Sequence, residues 1–186
     1  MGLTFVTTNM GKANEVRSLL RALGIEIDVR AVKLTEIQSD SLEEISMRSC
    51  EEAYGVLGEP VFVEDAGLFI ERLNGFPGPY SSYVYRTIGN AGILKLMAGE
   101  ENRVAYFKSC IAYKLSGKPV KMFSGVCVGR ISHEPRGSGG FGFDPIFMPE
   151  EGDGRTFAEM EIEEKNAISH RGKAVRAFAE WLKLTR

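Results

Sequence analysis

The sequence has few cysteines, and none of them forms a recognisable pair. Cys50, Cys110 and Cys127 are far apart and include no Cys-x-x-Cys motif, which argues against a disulfide framework and against a cysteine-rich zinc site. A free cysteine in a strand-like pattern is usually a small core residue. We therefore expect three buried thiols and a reducing, cytoplasmic compartment.

The chain also lacks long apolar runs and any excess of positive charge. Its apolar runs are too short to span a bilayer, and its N-terminus does not have the basic-then-apolar pattern of a secretory signal. Lys and Arg number 23 against 25 Asp and Glu, for a formal net charge of −2. Without a dense basic cluster, this balance does not favour a nucleic-acid-binding module.

The chain has 186 residues, of which 44% are hydrophobic, enough to form a buried core. This length and composition indicate one globular α/β domain over residues 1–186, with or without two lobes. Hydrophobic periodicity predicts strands at residues 3–7 and 25–32, and helices at 13–23, 41–57, 92–97 and 171–184. Alternating segments at 104–115 and 120–131 predict a long hairpin. This order favours a mixed sheet, with a ligand site beyond the carboxyl end of the first strand.

The stretch TTNMGKANE joins that first strand to the first helix. Asn9 and Gly11 can adopt left-handed backbone angles, so N–H groups and the helix dipole could face an anion, with Lys12 adding charge. The stretch lacks the other glycine and the Ser or Thr of a Walker loop. Taken alone, it is more typical of an ordinary turn with a solvated lysine.

Carboxylates follow two of the predicted strands. The sequence predicts that Glu64 and Asp65 end the short strand PVFVED, where acids beside a glycine can hold a divalent cation or orient a water molecule. The alternative is a turn acid that caps backbone amides. Glu36 is a third candidate, although alone it would be a surface charge. The following NGFPGPYSSY segment is predicted to be an irregular loop.

Two later segments carry unusual residues. In GSGGFGFDPIF, an aromatic ring beside Asp144 would suit a purine base, while the alternative is that Phe141 and Phe143 anchor the loop in the core. In EKNAISHRGKA, cations surround the start of the last helix, where the helix dipole prefers anions. An anionic ligand would resolve that conflict; for Lys173 we favour a solvated side chain.

Together the stretches TTNMGK, EDAGL, GFPGPYSSY, GGFGFDPIF and EKNAISHRGKA resemble, in order and spacing, the inosine triphosphate pyrophosphatases. This family is also called the non-canonical purine nucleoside triphosphate pyrophosphatases. The resemblance implies hydrolysis of ITP, XTP and their deoxy forms to the monophosphate and pyrophosphate with Mg²⁺. It also implies an elongated α/β fold, with a long mixed sheet and two lobes around a central cleft, and a homodimer.

The resemblance assigns roles residue by residue. Glu36 and Asp65 correspond to the metal ligands, and Asp65 also to the catalytic general base. Where many bacterial members have Asp-Asp-Ser-Gly-Leu, this chain has Glu64-Asp65-Ala66-Gly67-Leu68, so any contact at Ala66 must come from the backbone. The substrate-binding positions are Thr7, Thr8, Asn9, Met10, Gly11, Lys12, Ala66, Phe141, Gly142, Phe143, Asp144, Lys165, His170 and Arg171.

Hydrogen-bond polarity predicts how an oxo-purine is selected. Asp144 would accept from N1–H, and His170 or a backbone N–H would donate to O6. Adenine has the reverse polarity at both positions, so it would leave these groups unpaired. Arg171 near C2 would disfavour the 2-amino group of guanine. Two alternatives remain: a Maf-like pyrophosphatase acting on pyrimidine or modified nucleoside triphosphates, and a non-catalytic nucleotide sensor. The first would lack FGFD and SHR, and the second has no need of a general base.

Overall fold

A computed structural model describes residues 2–35 and 37–185. Within these residues the fold is a seven-stranded mixed sheet flanked by helices, as predicted, in the order β2-β1-β3-β5-β6-β7 with β4 paired to β3. β1 is parallel to β2 and β3, and the remaining pairs are antiparallel. The strands are β1 Thr4–Val6, β2 Asp28–Arg30, β3 Val61–Ile70, β4 Pro77–Gly78, β5 Val104–Lys114, β6 Lys121–Ile131 and β7 Phe147–Pro149.

The helices begin and end largely where the sequence indicates. They are α1 Met10–Ala22, α2 Leu42–Leu57, α3 Ser81–Thr87, α4 Gly89–Leu96, α5 Ile162–Ile168 and α6 His170–Thr185. Ser41 Oγ accepts from the Glu44 amide at the start of α2, and Gly58 ends that helix with φ of 67°, as expected for a cap and a left-handed terminus. α1 begins three residues earlier than predicted because Asn9 caps it; the short α5 was not predicted.

The predicted hairpin is confirmed, and it forms the centre of the sheet. β5 pairs with β6 from Val104↔Arg130 to Tyr113↔Lys121, and its other edge pairs with β3 along the whole length of β3. The predicted strand end at Glu64 and Asp65 is wrong, because β3 continues through both residues to Ile70. Both carboxylates have partners on neighbouring elements, so they do not interrupt the strand.

The NGFPGPYSSY segment is also more regular than predicted, since it contains β4 and the start of α3. Ser81 Oγ accepts from the Leu68 amide and donates to the Gly78 carbonyl, which joins the segment to β3. A Cβ on Gly67 would lie 2.3 Å from the Gly78 oxygen, so glycine permits this close approach.

Hydrophobic cores lie on both faces of the sheet. One contains residues of α1, α6 and the neighbouring strands, with Phe62 stacked on Phe5 and packed against Phe178. Another places Cys50 and Ala53 of α2 against Val61 and Val63 of β3. All three cysteines are buried free thiols, as predicted. Residues 2–35 and 37–185 contain no helix with both the length and the apolar character of a membrane span.

Candidate active site

The site begins where β1 ends and β3 continues. β1 stops at Val6, and Lys12 from the first turn of α1 reaches the uncovered edge of β3. Lys12 Nζ donates to the Glu64 carbonyl oxygen at 2.7 Å and lies 3.0 Å from Glu64 Oε2 and 3.9 Å from Asp65 Oδ1. The interpretation of Lys12 as a solvated lysine is therefore wrong, since its side chain is only 16% exposed.

The turn before Lys12 is built by side-chain capping. Thr7 Oγ1 accepts from the Asn9 amide, and Asn9 Oδ1 accepts from the Lys12 amide, each at 3.1 Å. The predicted left-handed backbone is wrong, because Asn9 has φ of −91° and Gly11 is helical. Thr8, Asn9 and Met10 are exposed, so the N-terminal end of α1 offers an accessible anion site.

Gly11 has a packing role instead of a conformational one. A Cβ at this position would lie 2.5 Å from the ring of Phe141. The absence of a side chain thus lets the aromatic loop pack directly on the turn that carries Lys12. This contact brings two separate sequence motifs together.

Glu64 is a fully buried carboxylate with several donors. Its side chain is 0% exposed, and it accepts from Ser109 Oγ at 2.6 Å and from Arg171 Nε at 3.1 Å. Burial alone would raise its pKa, but the charges of Arg171 and Lys12, with the Ser109 hydrogen bond, lower the pKa to about 2. Glu64 is therefore a permanent anion that holds cations of the protein.

Asp65, its neighbour, is more accessible. Its side chain is 31% exposed, and Ser46 Oγ of α2 lies 3.3 Å from Asp65 Oδ2. Ala66 is half-buried in β3. Glu36 lies outside the described residues, and among residues within them no three His, Cys, Asp or Glu side chains gather as a metal-binding group.

A buried network of ion pairs extends from Glu64 to the aromatic loop. Arg171 also donates from Nη1 to Glu15 Oε2 at 2.6 Å. Lys165 Nζ donates to Glu15 Oε1 and to Asp144 Oδ2, both at 2.6 Å. Because these side chains are at most 5% exposed, each charge depends on its partners for stability.

This network explains the cations around the start of α6. The conflict with the helix dipole is resolved by the protein's own acids, with Lys165 and Arg171 sharing Glu15. Sequence reasoning missed Glu15, for which Arg171 and Lys165 outweigh burial and lower the pKa. The available signal was its position one turn before Leu19, within the buried stripe of α1.

The aromatic loop contains one core anchor and one more open ring. Phe143 is buried in the core, as one of the alternatives predicted. Phe141 is half-buried, and its ring lies 5.1 Å from Lys165 Nζ and 5.4 Å from Arg171 Cζ. Asp144 Oδ2 accepts from the Phe141 amide at 2.8 Å, so Asp144 shapes the loop. Burial raises the pKa of Asp144 despite Lys165.

His170 is buried at the first residue of α6. Its ring stacks on Phe107 with centroids 4.6 Å apart, and Nδ1 has no hydrogen-bond partner among the described residues. Burial, followed by the charge of Arg171, lowers the pKa of His170 well below 6.5. The imidazole is therefore neutral and can donate or accept a hydrogen bond.

The structure brings most of the predicted site residues into one cluster. A continuous path of contacts runs from Asp65 through Lys12, Glu64, Arg171, Glu15 and Lys165 to Asp144. Cavities of about 660 and 240 Å³ lie elsewhere, one near Arg130 and the other near Arg176. The cluster, with its paired charges and its exposed turn, is thus the candidate active site.

The chain is similar to known proteins along nearly its whole length. The model of the Ham1 family matches residues 3–181, and the chain belongs to this family. A protein of Pyrococcus horikoshii named dITP/XTP pyrophosphatase is 57% identical over 99% of this chain and 98% of its own length. A Thermococcus kodakarensis protein of the same name is 55% identical over 98% of both chains. The structure of the Staphylococcus aureus Ham1 protein covers 99% of this chain and 100% of its own, with 26% identity and a TM-score of 0.83.

Proposed function

We propose that this protein hydrolyses dITP, XTP and related non-canonical purine nucleoside triphosphates to the monophosphate and pyrophosphate, removing them from the nucleotide pool. Its relatives named dITP/XTP pyrophosphatase align over nearly the whole chain. The observation that supports the proposal most directly is the contact path that joins Lys12 and Asp65 to the Phe141 loop. Because the chain belongs to the Ham1 family, we no longer favour the Maf-like alternative.

The triphosphate would bind at the turn before α1. Thr8, Asn9 and Met10 are exposed there, at the end of a 13-residue helix, and unpaired amides at such an end attract phosphate oxygens. Lys12 follows them in the first turn of α1, and its Nζ lies 3.0 Å from Glu64 Oε2 and 3.9 Å from Asp65 Oδ1. A phosphate approaching this turn would therefore meet a cation that is already positioned.

Magnesium fits the donor chemistry of this site. Asp65 offers a partly exposed carboxylate, and Mg²⁺ is commonly held by one or two carboxylates, substrate phosphates and water. We propose Asp65 and Glu36 as its protein ligands. Glu64 instead accepts from Ser109 and forms ion pairs with Arg171 and Lys12. When bound, the ion would neutralise phosphate charge.

Asp65 would act as the general base. Its carboxylate, held between Ser46 and Lys12, would orient a water molecule and accept a proton as that water attacks the α-phosphorus. Lys12 would stabilise the charge that develops on the phosphate oxygens. Pyrophosphate then leaves, and the monophosphate remains.

Base selection would occur at the opposite end of the network. We propose that Phe141 stacks on the base, that Asp144 accepts from N1–H, and that neutral His170 or a loop amide donates to O6. Adenine would leave these groups unpaired, at about 1–3 kcal/mol each. Arg171 would disfavour the 2-amino group of guanine, although its guanidinium also serves Glu15 and Glu64. The hypothesis is wrong if Arg171→Ala leaves the ratio of kcat/KM for ITP and GTP unchanged.

A panel of nucleoside triphosphates, assayed with Mg²⁺ for both pyrophosphate and orthophosphate, tests the proposed function. We expect pyrophosphate from dITP, ITP and XTP, with much slower release from ATP, dTTP and UTP. Direct release of orthophosphate from ITP would refute attack at the α-phosphorus. Preference for a pyrimidine would contradict the proposed purine substrates, and binding without turnover would indicate a sensor.

We also propose a homodimer that forms through a bare apolar face of the sheet, defined by Phe69, Tyr106, Val126 and Val128. Phe69 pairs with Tyr106, which pairs with Val128, and Tyr106, Val126 and Val128 are 36–44% exposed. An antiparallel sheet that faces water normally alternates apolar with polar residues. Here Phe107 and Cys127 fill the opposite face, so the apolar residues on the bare face favour a covering partner such as a second copy.

A cytoplasmic location completes the proposal. Cys50, Cys110 and Cys127 are buried free thiols, which suits a reducing compartment.

A further inference from the structure

The helix α2 places one polar group directly on the proposed catalytic carboxylate. Ser46 is 0% exposed, and its hydroxyl lies 3.3 Å from Asp65 Oδ2 and 3.2 Å from the Cys110 carbonyl oxygen. Asp65 and Cys110 are a cross-strand pair of β3 and β5. The Ser46 hydroxyl therefore contacts both members of this pair from the helix that packs on the sheet.

The two neighbours of Ser46 compete for a single hydrogen. A serine hydroxyl has one hydrogen to donate, and both the Asp65 carboxylate and the Cys110 carbonyl are acceptors. A charged acceptor forms the stronger bond, so Asp65 Oδ2 is favoured while it is available. When Asp65 Oδ2 engages another group, the hydroxyl can donate to Cys110 and remain paired within the buried interface.

We propose that Ser46 is a positioning residue for Asp65. This inference rests on the function proposed above. By holding Oδ2 on the α2 side, the hydroxyl leaves Oδ1 directed toward Lys12, 3.9 Å away, and toward the proposed phosphate and metal positions. Loss of this contact would remove one of the groups that fix the orientation of the Asp65 carboxylate, and small misplacements at a reacting centre are costly.

A second contact keeps α2 in register with the site. Glu43, one turn before Ser46, forms an ion pair with Lys108 of β5. The pair lies at the border of the bare face, because Lys108 is opposite Val126 in the β5–β6 ladder. Further along α2, Cys50 and Ala53 pack against Val61 and Val63 of β3, so the helix that carries Ser46 contacts the sheet on both sides of Asp65.

Ser49 provides a matched control. It lies one turn further along α2 and is also buried, at 6% exposure, but no hydrogen bond links its hydroxyl to Asp65 among the described contacts. The experiment compares Ser46→Ala, Ser46→Cys and Ser49→Ala with the wild type. The measurements are kcat and KM for dITP, thermal unfolding, and the Mg²⁺ affinity of protein saturated with a non-hydrolysable α,β-methylene analogue of dITP, determined by calorimetry.

For Ser46→Ala we expect kcat and Mg²⁺ affinity each to fall by about 10- to 100-fold, as for other residues that orient a metal-binding side chain. KM should change by less than about threefold, because Ser46 does not contact the substrate and the ground-state contacts of the substrate are retained. Ser46→Cys, similar in size but a weaker donor, should fall between Ser46→Ala and wild type. Ser49→Ala should stay close to wild type.

Wild-type kcat and Mg²⁺ affinity in Ser46→Ala would overturn the proposal. Equal losses in both alanine variants, with equally lowered melting temperatures, would also overturn it by indicating a general packing defect. If the wild type itself releases no pyrophosphate from any triphosphate, the proposed function fails. In that case the Mg²⁺ affinities alone support or reject the role of Ser46.

Discussion

At the scale of single residues, the adjacent acids Glu64 and Asp65 have opposite environments. Side chains alternate along β3, so Glu64 turns to the buried cations while Asp65 remains 31% exposed. Glu64 therefore carries a charge that organises the protein, and Asp65 carries one that can meet a substrate. Two neighbouring carboxylates thus have separate functions because of the face on which each lies.

Asp65→Asn should lower kcat by about 10²- to 10⁴-fold, the usual contribution of a general base, because the amide cannot accept the proton. The fold should be retained, since an amide oxygen can still accept from Ser46. Steady-state kinetics with dITP and thermal unfolding check both expectations. Asp153→Asn, at an exposed turn, is the matched control; comparable loss in both variants would contradict the assigned role.

His170 should make stability depend on pH. Its pKa in the folded protein is lowered well below 6.5 by burial, so the unfolded chain binds the proton first as pH falls. The stabilisation is fully present above pH 6.5 and declines by about 1.4 kcal/mol per pH unit below it.

Urea unfolding of the wild type and His170→Phe between pH 7 and 5.5 isolates this contribution, because changes at other groups largely cancel in the difference. Phenylalanine keeps the stacking on Phe107 and removes the titrating ring. We expect the wild type to lose stability more steeply than the variant. Parallel pH profiles would show that His170 does not titrate as described.

At the scale of elements, Arg103 joins α4 to the end of the β5–β6 hairpin. It is 7% exposed and donates to the carbonyl oxygens of Met97, Ile131 and Ser132 at 2.7–2.8 Å. No carboxylate is bonded to it in the described residues. The element junction is thus held by one guanidinium and several backbone acceptors.

Arg103→Met should lower the free energy of unfolding by about 2 kcal/mol or more, because the Ile131 and Ser132 carbonyls would lose their bonds to Arg103, and each buried carbonyl left unpaired costs about 1–3 kcal/mol. Arg130→Met is the control, since Arg130 is exposed on β6; its effect should stay within about 0.5 kcal/mol. Urea denaturation measures both. A similar loss in the two variants would mean that the carbonyl contacts of Arg103 carry little stability.

The elements also show which parts of the fold could be predicted from sequence. Local signals were sufficient for α2, with Ser41 and Gly58 at its ends, and for the alternating strands of the hairpin. They failed for β3, because acids inside an apolar strand resemble its end unless their partners are known. Lys12, Ser109 and Arg171 are those partners, and they come from distant parts of the chain.

The same reason separates predicted from missed site residues. The order of the motifs predicted Lys12, Asp65, Lys165 and His170 as members of the candidate site, whereas Glu15, Ser46 and Ser109 were not predicted. The three missed residues act on other side chains of the cluster, so their importance depends on tertiary contacts. Glu36, predicted as a metal ligand, remains a proposal.

At the scale of the whole molecule, the bare face makes oligomerisation testable. Light scattering after size-exclusion chromatography should give twice the 20.5 kDa chain mass for the wild type. Tyr106→Arg should shift the population to monomer, because it places a charge within a buried apolar contact. Val56→Arg, at another exposed apolar residue, should remain dimeric. A monomeric wild type at micromolar concentration would refute the proposed dimer.

The pairing of Glu15 with Lys165 and Arg171 also bears on how the protein is made. These contacts join residues separated by 150 and 156 positions. During translation, α1 leaves the ribosome long before α5 and α6 exist, so Glu15 lacks both of these partners until those helices have been synthesised. Contacts of such large sequence separation carry a high loop-closure cost and form slowly, and the nascent chain can therefore complete its candidate active site only after α5 and α6 have emerged.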